Sequence, residues 1–153
     1  MDNSKKTLEL HPFFEGMDPD LLEVMVCCAC HQEYQPGQFI YREGDDANQA
    51  LLILEGKVSV EIFATQRGSL GIQTLGPGDI LGWSWLFPPF KRRFDARAIE
   101  LTRAVALDGN FLRQKADENH RLGYELLRRF SRLVVERLQA TRLQLLDIYG
   151  KHV

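Results

Sequence analysis

Val58, Val60 and Ile62 alternate with Ser59, Glu61 and Phe63, the period of a strand with one face buried. Between about residues 32 and 108 this texture recurs as short apolar runs at 39–41, 50–54, 72–75, 80–81 and 104–107. Turn signals separate them: Pro36-Gly37, Glu43-Gly44-Asp45, Glu55-Gly56-Lys57, Arg67-Gly68-Ser69, Gly76-Pro77-Gly78-Asp79 and Asp108-Gly109. Short strands at such spacing predict a sandwich or small barrel. Before them, Leu21, Leu22, Met25, Val26 and Ala29 recur at helical spacing behind Asp18-Pro19, an N-cap followed by a first-turn proline. The spacing predicts a helix over 19–30, with the aromatics of His11-Pro12-Phe13-Phe14 docking ahead of it.

After residue 110 the period becomes helical, with a short turn at 111–116 and a long helix over 117–149. Leu122, Leu126 and Phe130 suffice to dock its first turns. Beyond them Leu127, Val134, Thr141 and Ile148 recur in heptad steps, with Leu138 and Leu145 completing an a/d seam behind a weak Ser131. A stripe this narrow and sustained calls for a partner helix, and a parallel homodimer through Val134, Leu138, Thr141, Leu145 and Ile148 is the expected one. The expected organisation is one domain over 1–153: a helical segment at 1–31, a β-roll at 32–109 and helices at 110–150.

Composition narrows the function classes. With 153 residues, 44% of them apolar and 26% charged, the chain is an ordinary globular protein, and its net charge of −2 does not suit a nucleic-acid-binding domain. No DNA binding of its own is expected. No apolar run approaches the ~18 residues of a membrane span, and the N-terminus lacks an apolar signal core, so the expected location is cytoplasmic. Cys27, Cys28 and Cys30 have no second pair to make a zinc pattern; as helical residues they are expected to be buried small hydrophobes. His11, His31, His120 and His152 are scattered, none is expected among the strands, and no Ser-His or Cys-His arrangement has support. No metal and no catalysis are expected.

The segment from Leu75 to Ala98, LGPGDILGWSWLFPPFKRRFDARA, carries the candidate chemistry. Gly82 precedes the short helical run Trp83-Ser84-Trp85, where freed backbone N–H groups can cradle an anion. Arg92 and Arg93 can fold back onto the same anion. The bland alternative is a surface loop with a solvated basic run. Trp83, Trp85, Phe87 and Phe90 either fill the core over the roll or wall a site for a flat or apolar ligand bearing a carboxylate or phosphate. Pro88-Pro89 stiffens the loop and can present Phe87 and Phe90 to a partner protein.

The order helix, roll, long helix resembles the cyclic nucleotide-binding domain. Pro36-Gly37, Ile40 and Glu43-Gly44-Asp45 look like its opening signature; residues 52–58 resemble its I-x-x-G-x-V hairpin; residues 75–82 resemble the entry to its phosphate-binding cassette. Residues 137–141 are similar to the dimerising helix of the bacterial catabolite activator branch. The resemblance implies an α+β, mainly β jelly-roll of about eight short strands flanked by an N-terminal helix and a long C-terminal dimerisation helix. It implies that Arg92, or the adjacent Arg93, meets a cyclic phosphate, and that Thr141 reaches across the dimer to a bound base. Arg142 stands where that branch has a small hydroxyl residue, and the chain stops where it would begin a helix-turn-helix. The family's ribose-binding glutamate is replaced by Trp83, a small residue by Trp85, and the phosphate-bonding pair by Phe94-Asp95. An indole donates but cannot accept a ribose hydroxyl. Asp95 would repel a phosphate unless it pairs with Arg92, Arg93 or Arg97, where it could orient an arginine. The expected function is a non-catalytic ligand sensor binding a nucleotide or other anionic molecule, in the family's case a cyclic nucleotide. The alternative is a protein-interaction scaffold whose pocket is filled by Trp83 and Trp85.

Overall fold

A computed structural model describes residues 3–66 and 68–150. Helix α1 (Asn3–Leu10) and a 3-10 turn (Pro12–Phe14) lead into α2 (Pro19–Cys27). Asp18 opens α2 through its backbone carbonyl, which takes the N–H groups of Leu21 and Leu22, and makes no side-chain cap. The helix stops three residues short of the predicted end. Cys30 and His31 lie instead on β1 (Ala29–Tyr34), which pairs with residues 102–107 far along the chain. The expected burial of the thiols is therefore corrected: Cys27 and Cys30 are exposed and only Cys28 is half-buried, its thiol pushed up to about 11 by burial. A period-3.6 pattern running through Ala29 gave no sign of the break, because a long-range strand pairing overrode it.

Strands β2 (Phe39–Tyr41), β3 (Gln49–Glu55), β4 (Val58–Ala64), β5 (Gly68–Leu75), β6 (Ile80–Leu81), β7 (Asp95–Ala98) and β8 (Thr102–Asp108) complete two antiparallel sheets, ordered β1-β8-β3-β6 and β2-β7-β4-β5. This is the jelly-roll. Leu51, Ile53, Val58, Val60, Leu75, Leu81, Ala96, Ala104 and Ala106 form the apolar cluster of the roll, and Tyr34, Ile40, Tyr41, Ile72 and Phe94 pack against it half-buried. Truncating Leu51 or Ile53 to Ala would cost about 2–5 kcal/mol. Gly56, at φ +101, is required at the β3–β4 hairpin, where an added Cβ would lie 2.5 Å from the carbonyl oxygen of Leu101. The simple alternation predicted for β4 is incomplete. Ser59 and Glu61 are buried as well as Val58 and Val60, while Ile62 is exposed, since flanking strands and their long side chains cover the polar positions.

Asp108 ends β8 and caps α3 (Gly109–Glu118), its Oδ1 accepting from the N–H groups of Asn110 and Phe111. Asn119 caps α4 (His120–Gly150) in the same way, through Arg121 and Leu122. The chain divides into two compact units, residues 1–115 and 116–153. In the second unit Leu122, Leu126 and Phe130 are buried, and Leu127, Leu138, Leu145 and Ile148 are exposed. Glu125 pairs with Arg129 and Arg128 along the helix surface.

Candidate functional site

The cassette runs from β6 through Gly82, a 3-10 turn (Ser84–Leu86) and a cis Pro88–Pro89 bond to Arg92. The turn between β2 and β3 fixes its far end by backbone pairing. Arg92 donates its N–H to the Asp45 carbonyl at 2.8 Å and accepts from the Gly44 N–H at 2.8 Å. The Phe90 carbonyl takes the N–H of Ala47, and Lys91 forms an ion pair with Asp46. These contacts explain why Glu43-Gly44-Asp45 and the basic cluster belong together although the sequence separates them widely.

The Arg92 side chain is turned inward and only 5% exposed. Its Nη2 donates to the Gln49 carbonyl at 2.6 Å, and its Cζ lies 4.2 Å from the centre of the Tyr41 ring. Its Nε and Nη1 are buried without a hydrogen-bond partner. Gly82 is needed here: its φ is +87, and an added Cβ would stand 2.4 Å from Nη1. Burial pulls the guanidinium's pKa down from its ordinary value, while Tyr41, Asp45 and Tyr34 oppose that shift. Arginine remains charged in any protein interior, so the site holds a buried cation with two nitrogens that lack a hydrogen-bond partner.

The neighbouring charges are otherwise committed. Asp95 is buried, and its Oδ1 accepts the Glu43 N–H at 2.7 Å and lies 3.5 Å from Arg42 Nε. The arginine it orients is Arg42, not Arg92, Arg93 or Arg97 as expected from the sequence. Arg97 instead grips Glu61 on the adjacent strand at 2.7 Å. That hydrogen bond holds the Glu61 carboxyl below its usual range, with Ser59 assisting. Arg93 is exposed, so of the two candidate arginines Arg92 is the one the fold turns inward.

Neither tryptophan belongs to the apolar cluster of the roll. Trp85 is fully buried with its Cβ against Gly109, and its carbonyl accepts from Arg113, whose guanidinium lies 4.2 Å over the Phe90 ring. Trp83 is half-buried and packs edge-on against Phe87 at 6.5 Å. Of the two alternatives for these aromatics, Trp85 is buried while Trp83 stays half-buried, and the half-buried places on the cluster of the roll are held by Tyr34, Ile40, Tyr41, Ile72 and Phe94. Ser84 is buried at the start of the 3-10 turn. Thr141 and Arg142 are exposed on α4 in the second unit, with Thr141 Oγ1 donating to the Arg137 carbonyl. Sequence reasoning missed Tyr34, Tyr41 and the Gln49 carbonyl; the only available signal was the aromatic run of β2. Among the described residues no group of three His, Cys, Asp or Glu side chains could hold a metal, and no helix is long and apolar enough to cross a membrane.

The profile of the cyclic nucleotide-binding domain matches residues 31–119, which span the roll, the cassette and α3. The chain belongs to the cyclic nucleotide-binding domain family. It is 26% identical over 135 residues to a CRP-like cAMP-activated global transcriptional regulator of Mycobacterium tuberculosis, a match covering 88% of this chain and 58% of that protein. It therefore spans little more than half the length of that relative. It is 33% identical over 124 residues to cyclic nucleotide-gated ion channel 18 of Arabidopsis thaliana, covering 72% of this chain and 17% of the channel. A cyclic nucleotide-binding domain from Methylobacillus flagellatus shares the fold with a TM-score of 0.82 at 21% identity, over 94% of this chain and 85% of that one.

Proposed function

We propose that this cyclic nucleotide-binding domain is a non-catalytic sensor that holds the anionic group of a small ligand on Arg92, in a cassette that no longer reads a ribose hydroxyl through a glutamate. The observation that carries the reading is the Arg92 guanidinium, buried, without a carboxylate partner, and with Nε and Nη1 unused. Buried carboxylates of the sheet formed by β2, β7, β4 and β5 have partners, Glu61 in Arg97 and Asp95 in Arg42. A scaffold with a closed, self-filled pocket would leave this cation uncompensated at a cost of several kcal/mol, which is why the sensor reading is preferred. Trp83 and Ser84 adjoin Gly82 at the rim, and Arg93 is an outer cation that steers anions towards it.

The relatives named for cAMP and cyclic nucleotides make a cyclic nucleotide the first ligand to test. Without an acceptor at Trp83 the affinity for cyclic AMP falls short of that of glutamate-bearing domains by on the order of 1–3 kcal/mol. Calorimetric titration of cyclic AMP and cyclic GMP into the wild type and Arg92→Gln tests this. Weak binding that Arg92→Gln abolishes supports the reading, and binding untouched by Arg92→Gln contradicts it. The second part of the proposal is a parallel homodimer through Val134, Leu138, Thr141, Leu145 and Ile148, which would bring Thr141 and Arg142 of a second copy to the ligand. Its support is the exposure of Leu138, Leu145 and Ile148 in heptad register.

A further inference from the structure

Tyr41 sits where a regular strand would not put it. On β2, Phe39 is opposite Arg97 and Tyr41 is opposite Ala96, so two steps on β2 match one on β7. One extra residue is accommodated, which is a β-bulge. In a regular strand Tyr41 would share a face with Phe39, whose ring lies 4.0 Å from the Arg42 guanidinium. The bulge instead sends the consecutive residues Ile40 and Tyr41 to the same apolar cluster. Tyr41 then faces Ala96, a fully buried small residue that leaves room for a ring. Its ring centre ends 4.2 Å from Arg92 Cζ.

Resting on the anion-site reading above, we infer that Tyr41 is a positioning residue of that site, aimed by the bulge to hold the Arg92 guanidinium with its free nitrogens towards the ligand. Stacking covers one face of the guanidinium, and the Gln49 carbonyl occupies Nη2. The nitrogens left wholly without a partner are Nε and Nη1, both in the guanidinium plane. A cation held in this way loses little side-chain freedom when it meets an oxyanion, so the ring raises affinity without touching the ligand.

The test is a titration with inorganic phosphate followed through the Arg92 Nε–H resonance, identified by its loss in Arg92→Lys. In the wild type the ring shields this proton. Tyr41→Leu should move the resonance and weaken phosphate binding about five- to tenfold. Tyr41→Phe keeps the ring and should stay within about twofold of the wild type. Tyr41→Met, which removes the ring but fills the space, repeats the test should the Leu variant fold poorly. Leu and Met variants that leave both the resonance and the affinity unchanged would overturn the inference. So would a Phe variant as weak as Leu, because the hydroxyl and not the ring would then matter. If phosphate fails to move the Arg92 resonance even in the wild type, the anion-site reading itself falls and takes the inference with it.

Discussion

Arg92 and Arg97 lie five positions apart on one stretch of chain, yet the fold treats them in opposite ways. Arg97 is partly exposed and meets a buried carboxylate, Glu61, at 2.7 Å. Arg92 is the buried one, and it meets an aromatic ring, a backbone carbonyl and no carboxylate. The first arrangement completes itself within the protein. In the second, the exposed Asp45 accepts the Arg92 backbone N–H through its carbonyl and acts on the guanidinium only through space, without an ion pair, and Asp95 faces Arg42. The contrast is between a charge that the fold pairs internally and a buried charge that it leaves without a carboxylate, the difference on which the proposed anion site rests.

The largest expected effect breaks the contrast at its functional end. Arg92→Gln should reduce affinity for any anionic ligand of the cassette by about a hundredfold or more, the loss of a charge-assisted contact in a dry site, as read by calorimetry. Without ligand the same substitution should raise the melting temperature, since it removes a buried cation that had no counter-charge.

Arg97→Ala is the mirror experiment. It should leave ligand affinity alone but destabilise the fold by about 1–2 kcal/mol in denaturant titration, because Glu61 stays buried without its partner and only the partial exposure of Arg97 softens the loss. A pH series sharpens this further. The Glu61 carboxyl is depressed in the folded state by its hydrogen bond to Arg97, so its contribution is present above the unfolded pKa of about 4.3. The wild-type advantage over Arg97→Ala should therefore hold at neutral pH and vanish as pH falls through the lower folded pKa. An advantage that persists in strong acid would show that Glu61 is not its source.

A smaller change concerns Asp95, expected from the sequence to orient an arginine and seen in the structure to brace the β2–β3 turn. Asp95→Asn can still accept the Glu43 N–H and should lose less than about 1 kcal/mol, while Asp95→Ala should lose somewhat more. Equal losses would mean that the hydrogen bond at 2.7 Å is not what makes Asp95 matter. The second unit offers an independent check: Leu138→Lys together with Leu145→Lys should give a monomer by light scattering, and a persistent dimer would remove the heptad seam from the account.

Much of this arrangement was legible in the residues. Glycine-led turns and apolar runs marked β2 to β6 and β8, and the heptad stripe marked α4, because those signals are local. Gly82 and Arg92 stood out for the same reason. What escaped was set at long range. Strand β1 was hidden behind a helical pattern until it paired with β8, and β7, reading Asp-Ala-Arg-Ala, has no strand propensity of its own and is held by β4 and β2. The partner of Asp95 lies 52 residues away. A single extra residue on β2 turned Tyr41 inward, a one-position change that no periodicity reports.

The most direct test of the central claim compares melting temperatures of the wild type and Arg92→Gln as phosphate replaces chloride at constant ionic strength. General salting-out by phosphate raises both proteins equally, so only the difference between the two slopes reports on the site. The wild type should gain additional stability that saturates with phosphate and is absent from Arg92→Gln. Parallel slopes for the two proteins would contradict this, and the buried guanidinium would then be a structural cation rather than an anion site.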